Sequence, residues 1–350
     1  MERARIAAVA ERLIAAYDGA RTIDPITASD PTFDVAAAYE VLREIDARRA
    51  ASGWRPVGRK IGFTNRTIWS RYGVDRPMWA HVYAHTVRRA PDGRATFALA
   101  GLVQPRIEPE VVFGLRGSVP VDGDARAVLD AVEWIAAGFE VVQSHFADWK
   151  FQAADCTAAF GLHGGLIVGP ATSLGDGERD RFAAELPRFE LTLRRGDEIV
   201  DRGRGSHTLD SPALALQHLA RVVASQPQAP PLSAGEIVTT GTLTDAWPLE
   251  PGERWSSEYG TLGVPGLDLL IEGRDGIETL ILDLLEWIGP EPRGYSEVME
   301  AWRTSCPRLP VWEEACARGL VERRRDEGAE AMASLTRLGR RVLAERRQRR

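Results

Sequence analysis

Residues 106–115, RIEPEVVFGL, place two carboxylates inside a run that otherwise alternates like a buried β-strand. Glu108 and Glu110 are one residue apart, so in an extended chain both side chains leave the same face. Their neighbours Ile107, Val111, Val112 and Phe113 are strongly apolar, which places the strand inside. A second apolar stretch, FEVVQSHF over 139–146, reads as another strand and carries Glu140 between Phe139 and Val141. An isolated buried carboxylate is very costly, so three of them on buried strands need a partner. Such an all-carboxylate set favours Mg2+ or Mn2+ over zinc, whose His and Cys ligands are absent at suitable spacing. A solvated, charged strand face is the competing reading, and spacing alone leaves both open.

The remaining pattern points to an α+β chain. Residues 4–17 and 34–50 are expected to be amphipathic helices, the second capped by Thr32 or Asp34 and ending near Gly53. VGRKIGF (57–63) is a short strand, and a helix is expected to start at Thr64-Asn65. Residues 124–137 have helical periodicity, with Gly138 suited to the position past a helix end. DWKFQAADCTAAFG reads as helical and GGLIVG as a buried strand. From residue 188 strands dominate: RFELTLRRGDEIVDRGRG has a hairpin pattern around Gly196-Asp197. SPALALQHLARVVAS is a helix with a Ser-Pro start. EIVTTGTL, ERWSSEYG and VPGLDLLIEG supply further strands. No regular βαβ alternation appears, which favours a mixed or antiparallel sheet. Neither a G-x-G-x-x-G after a strand nor a P-loop is present, so nucleotide cofactors are not indicated.

A chain of 350 residues suggests one large domain plus something smaller. We place a domain over 1–288, a linker at 289–295 (residues 289–295 read GPEPRGY) and an appendage over 296–350. IETLILDLLEWIG (277–289) is read as the last helix of the first domain. The opening MERARIAAVAERLIAAYDGA is amphipathic, not a signal peptide, and no apolar run would span a bilayer. Cys156, Cys306 and Cys316 are too few and scattered for a disulfide framework, so a reducing cytoplasm is expected. The formal charge of −6 hides an asymmetry, since residues 291–350 hold 14 Arg against 10 acids. The acidic body argues against nucleic-acid binding by the main domain.

Of 44 basic residues only Lys60 and Lys150 are lysines. A lysine ammonium changes its pKa readily on burial, which suits proton transfer, and both lie in segments carrying other chemical candidates. Lys60 sits between Gly58 and Ile61-Gly62 in an apolar strand. A surface position is the alternative for each, with Lys150 able to snorkel to solvent.

VGRKIGFTN, then QPRIEPEVVFGL, GFEVVQS, DWKFQAAD and GEIVTTGTLT closely resemble the 2-keto-4-pentenoate hydratase branch of the fumarylacetoacetate hydrolase superfamily. The likeness covers about residues 5–273, in order and at family-like spacing. It implies a mixed β-roll surrounded by helices, with Glu108, Glu110 and Glu140 as ligands of Mg2+ or Mn2+ and Lys60 as a catalytic residue. It further implies Asp155 as a positioning or substrate-binding group, and Gly241 and Thr242 beside the ligand. Lys150 is a candidate contact for a substrate carboxylate, while Met78 and Phe160 are candidate pocket residues. His145 and His163 are candidate bases whose alternative is a structural role. The implied activity is addition of water to a 2-hydroxydienoate or 2-oxoalkenoate through a metal-stabilised enolate. Vinylogous 2-oxo acid decarboxylation and acylpyruvate C–C hydrolysis are the enzymatic alternatives. A small 2-oxo or enol acid would be the substrate and the assembly a homo-oligomer. The pocket departs from the family: Arg76-Pro77-Met78-Trp79 stands where a Gln-Pro-Asp segment is usual, with Asp75 nearby, and Phe160 lies where Asn or Ser is common.

In the tail, GLVERRR followed by SLTRLGRRVL resembles the wing and following helix of a winged-helix regulator. Arg323–Arg325 and the terminal Arg cluster would meet DNA phosphates on that reading. A helical appendage serving oligomer contacts or solubility is the reading we place first, because Glu and Asp dilute the positive field.

Overall fold

The computed structural model describes residues 2–66, 69–72, 74, 76–226, 228–272, 274–301, 311–324 and 331–348. Asp75, Cys306 and Arg325, singled out above, lie outside the described residues. The chain divides into two compact units: Met1–Phe97 with Leu102–Ile271, and Ala98–Gly101 with Glu272–Arg350.

In the first unit the strands are, in chain order, β1 (Pro56–Gly62), β2 (Met78–Tyr83), β3 (Val87–Arg89), β4 (Arg94–Phe97) and β5 (Arg106–Leu115). There follow β6 (Val132–Val142), β7 (His163–Val168), β8 (Thr172–Ser173), β9 (Glu190–Arg195) and β10 (Glu198–Arg204). The last four are β11 (Ile237–Thr239), β12 (Trp247–Pro248), β13 (Arg254–Glu258) and β14 (Asp268–Ile271). Among the described residues nine of these strands join in one mixed sheet, whose main path runs β2-β1-β11-β5-β6-β7-β3. The pairs β1–β11 and β3–β7 are parallel, and the others along that path are antiparallel. A second sheet runs β10-β9-β13-β14-β4 and contains the expected hairpin around Gly196. The α+β architecture with a large mixed sheet is thus the one expected from the sequence.

Helices Arg3–Asp18 and Val35–Ala51 cover one part of the large sheet, their apolar faces burying Leu13, Val41 and Ile45. Asp34 caps the second by accepting from Ala37 N at 2.8 Å, satisfying one of the free N–H groups of its first turn. The helix Pro212–Ala224 begins with proline in its first turn, where the missing N–H costs nothing.

One element differs in kind from expectation. Residues 124–137 are not one helix: only Ala125–Leu129 is helical, and the chain then extends into β6. Val132, Ile135, Ala136, Phe139 and Val141 are buried on both faces of that strand. A strand buried on both faces reads as a continuous apolar run, which periodicity does not separate from a buried helix. Gly138 therefore caps no helix; it sits mid-strand opposite Glu110.

The second unit runs helix Arg274–Ile288, β15 (Arg293–Gly294), helices Tyr295–Ala301 and Val311–Ala317, β16 (Val321–Arg324), β17 (Met332–Leu335) and helix Arg337–Gln348. Its described strands form a sheet in the order β15-β17-β16. The division at 271–272 falls earlier than the expected linker at 289–295. The apolar face of Arg274–Ile288 explains it: Leu284, Leu285 and Ile288 are buried together with Val298, Val311 and Leu343. Residues read as a linker instead include β15, which pairs with β17. Within this unit Glu313 and Glu314 occupy the first turn of Val311–Ala317.

Candidate metal centre

Sheet order brings together residues far apart in sequence. Lys60 on β1 is in register with Thr239 on β11, and Thr239 with Val112 on β5. Glu108 on β5 stands directly across from Glu140 on β6, and Glu110 across from Gly138. Like charges placed opposite one another on antiparallel strands are destabilising unless something neutralises them. One carboxylate oxygen from each of Glu108, Glu110 and Glu140 lies within 4.8 Å of the others. Gly138 leaves the position across from Glu110 without a side chain; a Cβ there would run into Val112.

Each carboxylate has a defined setting. Glu140, with no exposed surface, has Lys60 Nζ at 2.9 Å from Oε2 and His163 Nδ1 at 2.8 Å from Oε1. Glu110 Oε2 accepts from Thr239 Oγ1 and, at 2.8 Å, from Gly241 N. Its buried Oε1 has no hydrogen-bond partner. Gly241 has φ +94°, and a Cβ on it would collide with Thr64, so glycine is what lets this N–H reach the carboxylate. The Tyr259 hydroxyl donates to Glu110 O at 2.6 Å and pins the strand beneath the site.

Charge follows from this geometry. Burial works against the Lys60 ammonium, but Glu140, Glu108 and Glu110 together outweigh it and raise its pKa, so the proton stays on. Burial pushes Glu108 up to about 7, opposed by Lys60 and Arg106 and reinforced by Glu140. Burial and the charges of Glu140 and Glu108 raise Glu110 well above the usual carboxylate range. Burial also opposes the Glu140 charge, yet Lys60 and His163 hold its carboxyl below that range.

These shifts set a pH dependence for the metal-free protein. A carboxyl raised on folding binds more protons in the native state, so stability falls as pH rises from its unfolded value. For Glu108 that window runs from about 4.5 to about 7. We expect the EDTA-treated protein to be more stable to urea at pH 5 than at pH 8, by an amount on the order of 3 kcal/mol. A saturating divalent cation should shrink the difference; urea melts at the two pH values check both.

Beside the carboxylates lies a cavity of about 220 Å³ whose lining includes Lys60, Met78, Arg106, Trp149, Phe151 and Thr242. Gly241 and Cys156 also face it. The Arg106 guanidinium stacks over the Trp149 ring, 4.3 Å from its centroid. Thr242 Oγ1 donates to Thr244 O at 2.9 Å, which holds the loop carrying Gly241 against the cavity.

Four expected candidates, Lys150, Asp155, Phe160 and His145, do not line the cavity. Lys150 is 80% exposed and pairs with Asp148 at 3.2 Å. Asp148 and Trp149 both take positive φ, which turns Trp149 and Phe151 inward and Lys150 out. Asp155 is buried but faces away from the cavity. Its Oδ1 accepts from Thr27 N at 3.0 Å, while Oδ2 accepts from Thr27 Oγ1 at 2.6 Å and Gln152 N at 3.0 Å. It ties the first turn of Ala153–Ala158 to residue 27, and its neighbour Cys156 lines the cavity. Phe160, at φ +56°, packs instead against Tyr17 at 4.6 Å, and Gly161 and Leu162 take the cavity wall. His145 Nδ1 lies 3.1 Å from Arg21 O, away from the carboxylates. His163, read above as a candidate base or structural residue, instead meets Glu140. The signal for that contact was Gly164-Gly165, because a glycine inside a strand pattern marks a bulge.

The family model described as fumarylacetoacetate (FAA) hydrolase C-terminal matches residues 85–265. The chain is 30% identical over 265 residues to a 2-hydroxyhexa-2,4-dienoate hydratase of Comamonas testosteroni, covering 75% of this chain and 92% of that one. It is 33% identical over 258 residues to 2-keto-4-pentenoate hydratase 2 of Dechloromonas aromatica, covering 73% and 94%. A solved structure of 4-oxalocrotonate decarboxylase from Pseudomonas putida G7, complexed with magnesium and adipate, superposes with a TM-score of 0.70 at 24% identity. That match covers 77% of this chain and 98% of the other. With the E-x-E strand, its cross-strand glutamate and the fold all in agreement, the chain belongs to the fumarylacetoacetate hydrolase family.

Proposed function

We propose that this protein is a divalent-metal-dependent hydro-lyase that adds water to a 2-hydroxydienoate or 2-oxoalkenoate, giving a 4-hydroxy-2-oxo acid. The observation that carries the reading is the convergence of Glu108, Glu110 and Glu140: the first two line one cavity with Lys60, and the third is buried within reach of them and paired with Lys60. The residues fit a hard cation on two counts. The donors are all carboxylate oxygens, and Glu110 Oε1 is buried without a partner. Glu108, Glu110 and Glu140 would hold Mg2+ or Mn2+, and the bound ion would supply Lewis-acid stabilisation of charge developing on the substrate's 2-oxygen.

The chain's own groups do the rest. Lys60 carries a proton at the cavity wall, where Nζ can deliver it to carbon as the dienol ketonises and take up in exchange the proton that leaves the 2-hydroxyl. Arg106 supplies positive charge for the anionic end of the acid, and Trp149, Phe151 and Met78 give an apolar wall for its carbon chain. The names of the hydratase relatives support the same assignment.

Loss of the dienol absorbance of 2-hydroxypenta-2,4-dienoate, followed with purified protein, tests the proposal. Activity should fall roughly 10²–10⁴-fold after EDTA treatment and return with Mg2+ or Mn2+. Undiminished turnover in EDTA would sink it. A second reading, decarboxylation of an unsaturated 2-oxo dicarboxylate, is favoured by Arg106 facing the cavity and by a 4-oxalocrotonate decarboxylase of Pseudomonas sp, 30% identical over 260 residues. Release of CO2 from such a substrate without water addition to the dienol would select it.

A further inference from the structure

We propose that His163 is a positioning residue for the metal centre, fixing the Glu140 carboxylate through Nδ1 so that Oε2 is left for the cation; this rests on the metal reading above.

The contact is built by a break in register. On β6 and β7, Glu140 pairs with Leu166 and Val141 with Gly165, but Val142 pairs with His163, so Gly164 is extra. Side chains alternate faces along a strand, and an unbroken register would turn His163 to the side opposite Glu140. The one-residue bulge returns it to the Glu140 face. A Cβ on Gly164 would stand 3.0 Å from Val141 O, so the bulge is also tight.

His163 is 3% exposed, and both ring nitrogens are engaged. Nδ1 lies 2.8 Å from Glu140 Oε1, and Nε2 lies 2.8 Å from Thr86 Oγ1. Thr86 Oγ1 is itself 2.9 Å from Tyr83 O, on the turn leading into β3. The Thr86 hydroxyl has one proton. Turned to Nε2, it leaves the neutral ring's proton on Nδ1 for the carboxylate; donated to Tyr83 O, it accepts from Nε2–H, in which case Nδ1–H is present only on a ring carrying both protons. With Oε1 taken, Glu140 Oε2 meets the Lys60 ammonium and has no aligned hydrogen bond of its own. Glu110 is held by Thr239 and Gly241; Glu140 is held by His163. Partners that orient a ligand in this way contribute roughly 10–100-fold to metal affinity.

Calorimetric titration with Mn2+ tests this on the full chain, alongside thermal unfolding of the metal-free protein. His163→Ala should weaken Mn2+ binding by about 10–100-fold. His163→Asn places an amide N–H where Nδ1–H stands and should restore most of that loss, while the two variants unfold at similar temperatures without metal. A role confined to core packing would lower both unfolding temperatures and leave the affinities alike. Native affinity in His163→Ala, or equal weakening in His163→Asn, overturns the inference and leaves the metal reading intact. If His163→Ala does not fold, Thr86→Val carries the test: a several-fold weakening supports it and native affinity overturns it. No Mn2+ binding by the native chain would overturn the metal reading and this inference together.

Discussion

Replacing Glu140 by Ala is expected to lower kcat/KM by about three orders of magnitude or more, while the chain still folds. Glu140 is the ligand candidate with the most support around it: fully buried, opposite Glu108, and contacted by both Lys60 and His163. Its removal takes away one of three donors and the group that ion-pairs with Lys60. The fold should survive because Lys60 keeps Glu108 and Glu110 as nearby counter-charges, so no buried cation is left isolated. Steady-state kinetics with excess Mg2+, together with a circular-dichroism melt, measure the two halves of this expectation. Near-native kcat/KM in a folded Glu140→Ala protein would mean that the carboxylate cluster is structural.

Lys60→Met should separate charge balance from catalysis. Methionine fills a similar volume without the ammonium, leaving the buried Glu140 carboxylate without its ion-pair partner. In the metal-free state this should destabilise the protein by about 3–5 kcal/mol, the usual consequence of stripping one partner from a buried ion pair. A divalent cation replaces the lost positive charge, so Mn2+ should bind the variant at least as tightly as the native chain. Turnover should nonetheless fall by about 10²–10⁴-fold, because the proton that Nζ carries at the cavity wall is gone. Metal titration and kinetics on one preparation distinguish the outcomes. Tight metal binding with unimpaired turnover would remove Lys60 from the reaction and leave it a counter-ion only.

The reach of the sequence is clearest where side-chain parity is simple. Glu108 and Glu110 share a face because one residue separates them on a regular strand, and that held. Lys60 stood out as one of two lysines in an Arg-rich chain and sits against the same carboxylates. Parity fails where the backbone leaves the regular wells. Positive φ at Asp148, Trp149 and Phe160 reverses which side chains face the cavity, so Trp149 and Leu162 line it while Lys150 and Phe160 do not. None of those three residues is glycine, so no residue type announced the reversal. The Gly164 bulge hid the His163–Glu140 contact for a related reason, since one extra residue inverts a face. Residues 132–137, the first part of β6, were misread as helix because burial on both faces erases the alternation that marks a strand, while 139–142 were read as strand. The boundary at 271–272 was missed because an amphipathic helix does not declare which core its apolar face will join. Here Leu284 and Leu285 join the core of the second unit.

The central claim is that Glu108, Glu110 and Glu140 form one hard-cation site on the face of the large sheet. Calorimetric titration of Mg2+ and Mn2+ into the native chain and into Glu140→Ala tests it most directly. The expected result is one ion per chain for the native protein and no binding at that site for the variant. Equal stoichiometry and affinity in the two proteins would contradict it.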